Sequence, residues 1–190
     1  MKKYFLLAMV LWAAIGSPAS SASLEGLRFD DQVRLANREL LLNGLGVRSI
    51  FIFRAYVAGL YLEQKTSVGR EVVRHAGPKR LQLRMMMDIG AQDIKKALVD
   101  GMRKNVTAAQ WEGMAERAAD FSRTIDSIGI TRSGDSISLD YLPDVGLSLA
   151  VNDIPRGAPI AGKDFYDALL EIFVGVDPVD TRLRQGLLGQ

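Results

Sequence analysis

Between Gly46 and Leu62 the chain reads Gly-Val-Arg-Ser-Ile-Phe-Ile-Phe-Arg-Ala-Tyr-Val-Ala-Gly-Leu-Tyr-Leu, a β-type run that sets two guanidinium groups and two phenols among apolar neighbours. Strand side chains alternate between the faces of a sheet, so an unbroken register puts Arg48, Ile50, Ile52, Arg54, Tyr56, Leu60 and Leu62 on one face. A cation on such a face costs free energy unless an anion or a hydrogen-bond acceptor meets it. The pattern points to a cleft for a ligand with an apolar body and a negative end. The alternative is an edge strand whose arginines carry their heads out to water and block edge-to-edge pairing.

Export is the expectation from the N-terminus. Lys2 and Lys3 precede an apolar run from Tyr4 to Ile15, followed by Gly16, Pro18 and the small residues Ala19 to Ser23. That order predicts a secretory signal over residues 1–22, cut after Ala22, and a single domain over 23–190. Nothing later approaches the ~20 apolar residues of a spanning helix. The expected location is therefore periplasmic or secreted, with no integral membrane segment once the signal is gone.

The chain contains no cysteine, which excludes disulfides, thiolate chemistry and cysteine-held metal, and leaves stability to a core drawn from its 48% hydrophobic residues. Its 24 basic and 22 acidic residues come into balance when Lys2 and Lys3 are removed. A near-neutral domain lacks the basic excess that captures nucleic acid or an anionic membrane, so neither is an expected partner. Lys79, Arg80 and Arg84 are expected on a solvated strand face.

His75 is the only histidine, so neither a histidine-based triad nor a multi-histidine metal site can be assembled. Gly157 to Lys163 imitates the start of a phosphate loop, but Asp164 stands where a hydroxyl residue would hold magnesium, and the match is set aside. Asp88, Asp93, Asp100, Asp140, Asp144 and Asp153 show no spacing that specifies an acid-base pair, and they are read as caps and turn residues. No cofactor and no metal are expected.

Short strands are expected over Leu27–Phe29 and Val33–Leu42, with Asn43-Gly44 as a turn before the long run. Lys79–Met87 follows a short helix over 67–75. From Ala91 the period changes: Ile94, Ala97, Leu98, Gly101 and Met102 recur at helical spacing, and a second helix starts from Thr107 as N-cap. Ser127–Thr131 and Ser136–Tyr141 are read as a hairpin around Arg132-Ser133-Gly134-Asp135, with a further strand over 147–151. Phe165, Leu169, Ile172 and Phe173 form a helical stripe, and Asp177-Pro178 opens a last helix. Strands first and helices later predict an α+β fold, an antiparallel sheet with a layer of helices on one face and a cleft between the layers.

Several blocks together resemble the chalcone isomerase-like superfamily, specifically its exported bacterial branch. They are Gly46-Val47-Arg48 with Tyr56-Val57-Ala58-Gly59-Leu60-Tyr61-Leu62, Lys79-Arg80-Leu81, Asp100-Gly101-Met102 with Asn105, Leu139 to Gly146, Gly162-Lys163-Asp164-Phe165, and the ending with Gly175, Asp177-Pro178 and Leu187-Leu188-Gly189. The resemblance implies an open-faced β-sandwich, a large antiparallel sheet backed by helices.

In the plant isomerases of this superfamily an arginine, two threonines, a tyrosine and an asparagine line the cleft. The arginine falls at Arg48, the strand threonine is replaced by Tyr56, the helix tyrosine and asparagine fall near Asp93 and Asp100, and the last threonine falls at Val145. With those groups replaced, the resemblance implies no assured catalytic set; an active protein would be an intramolecular lyase working with Arg48 and Tyr56. An arginine with a tyrosine is similar instead to the fatty-acid-binding members, in which the two side chains clasp the ligand carboxylate. A small apolar carboxylate or phenolate is thus the expected partner, held by Arg48, Tyr56 and Arg54. A third reading is an interaction protein whose vestigial cleft is plugged by large side chains.

One geometric condition attaches to the clasp. Eight residues of straight strand hold Arg48 and Tyr56 ~26 Å apart, so the run has to fold back between them.

Overall fold

The computed structural model describes residues 20–190. The expected signal segment lies almost wholly outside the described residues, and the expected cut after Ala22 falls within the first strand, β1 (Ser21–Leu24). β1 pairs with β2 (Leu27–Asp30) in a small hairpin.

The main sheet has seven strands: β3 (Gln32–Leu35), β4 (Arg38–Ile50), β5 (Phe53–Leu62), β6 (Lys79–Met85), β9 (Ser136–Leu142), β10 (Gly146–Val151) and β11 (Ile154–Ile160). They lie in the order β11-β10-β9-β6-β5-β4-β3, each antiparallel to its neighbours. A two-residue ladder joins β7 (Ile89–Gly90) to β8 (Ile130–Thr131) beside this sheet. Helices α1 (Gly69–Arg74), α2 (Ala91–Asn105), α3 (Ala108–Asp126), α4 (Lys163–Val174) and α5 (Thr181–Leu187) complete the chain. The fold is α+β, an open-faced sandwich of the expected kind.

Period-two alternation decides which face the helices take. In β6 the residues Leu81, Leu83 and Met85 are buried while Arg80, Gln82 and Arg84 face the other way. Together with Ala58, Leu60 and Leu62 of β5 they meet Phe165, Leu169, Ile172 and Phe173 of α4 in the principal core. Each such side chain contributes about 1.5–3 kcal/mol on leaving water. The far face carries a smaller core of Phe29, Leu35, Leu40, Leu42, Val57 and Tyr61, roofed by the β1–β2 hairpin.

The structure departs from the sequence reading at places with identifiable causes. The Val33–Leu42 run is broken by a turn in which Ala36 adopts φ 51°. Asn43-Gly44 is no turn: the register skips Asn43 between Leu42↔Tyr61 and Gly44↔Leu60, leaving a bulge inside β4. Asn43 there donates to the Leu187 carbonyl at 2.7 Å and accepts from the Thr66 N–H at 2.8 Å. A Cβ on Gly44 would stand 2.2 Å from the Gly186 carbonyl oxygen, so the glycine serves the close approach of α5. Residues 127–141 do not form the expected hairpin, because β8 pairs with β7 and β9 with β6 and β10.

β11, which contains Pro155 and Pro159, is absent from the sequence reading; it lies at the sheet edge, where a missing N–H is tolerated. The last helix is capped by Asp180, whose carboxylate accepts from the Arg182 and Leu183 N–H groups, and not by Asp177. The solvated basic face is also corrected. Lys79 is fully buried, and Arg80 makes two 2.7 Å hydrogen bonds to Asp140. The Arg84 guanidinium lies 5.2 Å from the centre of the Phe29 ring.

Candidate functional site

The Gly46–Leu62 run folds back on itself. β4 ends at Ile50, Phe51 and Ile52 make the turn, and β5 returns from Phe53, which places Arg48 directly opposite Tyr56 in the ladder. The fold-back that the clasp requires is therefore present. No glycine, proline or asparagine marks the turn; Phe51 itself adopts φ 53°, a conformation that costs bulky side chains free energy.

One residue later the register shifts, since Arg48 faces Tyr56 but Ser49 faces Arg54, so Ala55 is extra on β5. The bulge reverses the alternation before Tyr56. Arg54 consequently departs from the face it was expected to share with Arg48 and Tyr56. It ion-pairs with Glu25 at 2.5 Å, its side chain 57% exposed, and it does not line the cleft.

A cavity of about 140 Å³ lies between sheet and helices. Leu83 and Met85 of β6, Ile137 and Leu139 of β9 and Leu149 of β10 form its floor. Ile94, Ala97 and Leu98 of α2 form the opposite wall, with Phe173 and Val179 closing one side. The polar side chains on its lining are Arg48, Tyr56 and Asp93. An apolar cavity of ~150 Å³ accepts a benzene-sized guest, so this one holds a ring or a short acyl segment without rearrangement. The space beside Arg48 is open, in contrast to the plugged cleft of a vestigial site.

Arg48 does not stand alone. One of its terminal nitrogens donates to Asp180 at 3.1 Å, and the other oxygen of that carboxylate caps α5 at 2.8 and 3.0 Å. Burial works to raise the Asp180 carboxyl, but the Leu183 N–H, Arg48 and the Arg182 N–H together hold it below the ordinary carboxylate range. Asp180 thus stays ionised and fixes the guanidinium, which retains further N–H donors for another acceptor. Burial pushes the Tyr56 phenol far above its ordinary value, against the pull of the Arg48 charge. It is a neutral donor at physiological pH.

The sequence reading missed Asp180, and its residue separation of 132 from Arg48 explains why. The register that brings it in comes from small residues: a Cβ on Gly46 would lie 2.4 Å from the Leu183 carbonyl, so α5 rests on bare β4 backbone one turn from the ion pair. Of the other positions implied by resemblance, Asp93 lines the cavity. Asp100 bonds Lys96 at 2.6 Å away from it, and Val145 is 42% exposed in the β9–β10 turn. Lys163, in the imitation phosphate loop, is committed to Asp167 and to the Val73 carbonyl. Among the described residues no group of three or more His, Cys, Asp or Glu is placed to hold a metal ion.

No curated protein matches the chain. Among solved structures, the Arabidopsis thaliana fatty-acid binding protein superposes with a TM-score of 0.66 at 14% identity, covering 89% of this chain and 96% of that one. At that identity the likeness speaks to the fold. A family model described as chalcone isomerase-like matches residues 21–189, and by that span the chain belongs to the chalcone isomerase-like family.

Proposed function

We propose that this protein is an exported, periplasmic binder of a small apolar ligand bearing a carboxylate, a fatty acid or an acid of similar shape, which it holds without turning over. One observation carries the reading: Arg48 and Tyr56 are ladder partners on the lining of a cavity whose other side chains, Asp93 apart, are apolar. The ligand head would take a charge-assisted hydrogen bond from Arg48 and a second from the neutral Tyr56 phenol, while its tail lies against Leu83, Leu98 and Leu149. The fold shared with a protein named for fatty-acid binding supports the same reading.

The position that the resemblance aligns with the isomerase's helix tyrosine is Asp93, on the cavity's helical wall, so the donor that the developing enolate would need from that helix is absent, which favours binding over catalysis. A volume of about 140 Å³ takes about six carbons within its walls.

The test is a titration with straight-chain carboxylic acids of increasing length, followed by calorimetry, beside mass spectrometry of acids extracted from the protein purified from its exporting cells. Saturable binding that disappears for the corresponding alkanes supports the proposal. Equal affinity for acid and alkane would refute the role of Arg48, and conversion of a chalcone at measurable rate would refute the non-catalytic part.

A further inference from the structure

The tip of the β4–β5 hairpin is apolar and bare. Ile50 is 41% exposed, Phe51 97%, Ile52 88% and Phe53 61%, four consecutive large hydrophobic residues beyond Arg48, whose guanidinium pairs with Asp180, the N-cap of α5. Strand rise puts the turn about 10 Å beyond Arg48. Behind it lies a polar collar in which Glu25, Ser49, Arg54 and Arg182 border a groove next to Phe51. Water is a poor solvent for such a tip, and a soluble protein exposing one normally covers it with something else.

We propose that this hairpin is a docking finger for a lipid bilayer, with Phe51 and Ile52 entering the acyl boundary and the collar resting among the head groups. The shape selects the occupant. A stable protein interface takes ~800 Å² from each partner, whereas four side chains on a convex two-residue turn offer on the order of half that. A fluid bilayer needs no complementary surface, and a 10 Å reach matches the ~5–10 Å by which interfacial elements enter it. The Arg54 guanidinium, paired with Glu25 yet more than half exposed, and the exposed Arg182 sit where head-group phosphates would lie. Acid and base are mixed in the collar, so the apolar tip provides the attraction and the arginines orient it.

Backbone conformation supports the assignment independently. A two-residue hairpin turn with positive φ at its first position favours glycine there, and this chain has a phenylalanine at φ 53°. The side chain is thus carried at a conformational cost that glycine would not incur. Docking would also lay the cavity edge, lined by Ile50, Arg48 and Tyr56, against the bilayer surface. An apolar acid could then pass between membrane and cavity without crossing water. That last consequence rests on the binding role proposed above; the docking does not.

The test is flotation of the purified protein with phosphatidylcholine vesicles and with vesicles of phosphatidylethanolamine containing phosphatidylglycerol. The wild type is expected to float with both, with little loss in high salt. The double variant Phe51→Gly, Ile52→Ser supplies the residues the turn prefers, so it should melt no lower than wild type while its partition falls at least ~100-fold, as the loss of two buried large side chains predicts. Phe51→Trp should keep binding and shift its emission to the blue on vesicles. Acid binding measured without vesicles should be unchanged in the double variant, which separates failure of docking from failure of the cavity. Wild type remaining in the aqueous phase, equal flotation of wild type and double variant, or a wild-type dimer that the double variant dissociates would each overturn the proposal.

Discussion

The Asp180 carboxylate joins two tasks: one oxygen accepts the Arg48 guanidinium at 3.1 Å, and the other caps the N-terminus of α5 through the N–H groups of Arg182 and Leu183. Arg48 on the cavity lining is therefore held through the N-cap of α5, and the ligand carboxylate proposed above would have to share Arg48 with an anion already in place. Asp180→Asn separates the tasks. Asparagine caps as well as aspartate, so the melting temperature should change little, whereas removal of the competing charge should tighten binding of an acid several-fold. Asp180→Ala loses the cap as well and should cost about 1 kcal/mol of stability by chemical denaturation.

Arg48→Met keeps the apolar stem and removes the charge. Loss of a charged hydrogen bond is worth about 1.5–3 kcal/mol, so affinity for the acid should fall by roughly 10- to 100-fold. Tyr56→Phe removes a neutral donor and should cost ~1 kcal/mol, about fivefold. Arg54→Met, outside the cavity and bridged to Glu25, should leave affinity unchanged. An Arg54 effect as large as that of Arg48 would mean that the head group sits on the other face of the hairpin.

How much of this site could be read from sequence depended on distance along the chain. Helix faces were legible: Ile94 and Leu98 pack where a 3.6-residue period puts them, and Thr107 with Gln110 forms a complete capping box. Arg48 and Tyr56 were legible as a polar pair in an apolar run. Their apposition was not, because the turn between them carries Phe51-Ile52 where the chemistry of tight turns leads one to look for glycine or asparagine. A single bulge at Ala55 then sent Arg54 to the wrong side, and a second at Asn43 imitated a turn. Bulges leave no periodic trace. The Arg48–Asp180 pair depends on α5 settling against Gly44 and Gly46, a tertiary fact that spacing does not encode.

Filling the cavity should separate binding from stability. Ala97 lies on the α2 wall, and Ala97→Phe adds a ring to a space of about 140 Å³, close to the size of guest such a space admits. The expected outcome is loss of acid binding with a melting temperature equal to or above that of wild type, since the ring leaves water for a void that already exists. A large drop in stability would mean that the cavity wall is more tightly packed than its volume implies.

Stability should rise with pH above 8, and Lys79 is the reason. Its side chain is fully buried, its ammonium lies 5.0 Å from the centre of the Tyr141 ring, and it donates to the His75 carbonyl at 2.5 Å. Burial, reinforced by the nearby Lys163 charge, lowers it from 10.5 to about 8 in spite of Asp167 and Glu63. The lowered value is that of the folded state, so between about 8 and 10.5 the unfolded chain binds more protons than the native one, and stability increases with pH. Below pH 8 both states hold the proton and the cost of the buried charge is present in full. Higher still the slope reverses: burial pushes the Tyr61 phenol to about 12, so the unfolded chain loses phenolic protons first. Urea denaturation from pH 7 to 12 should trace a rise and then a fall, and in Lys79→Met the rise should be absent while the fall remains. A flat profile through pH 8–10 in the wild type would place the Lys79 ammonium in contact with water.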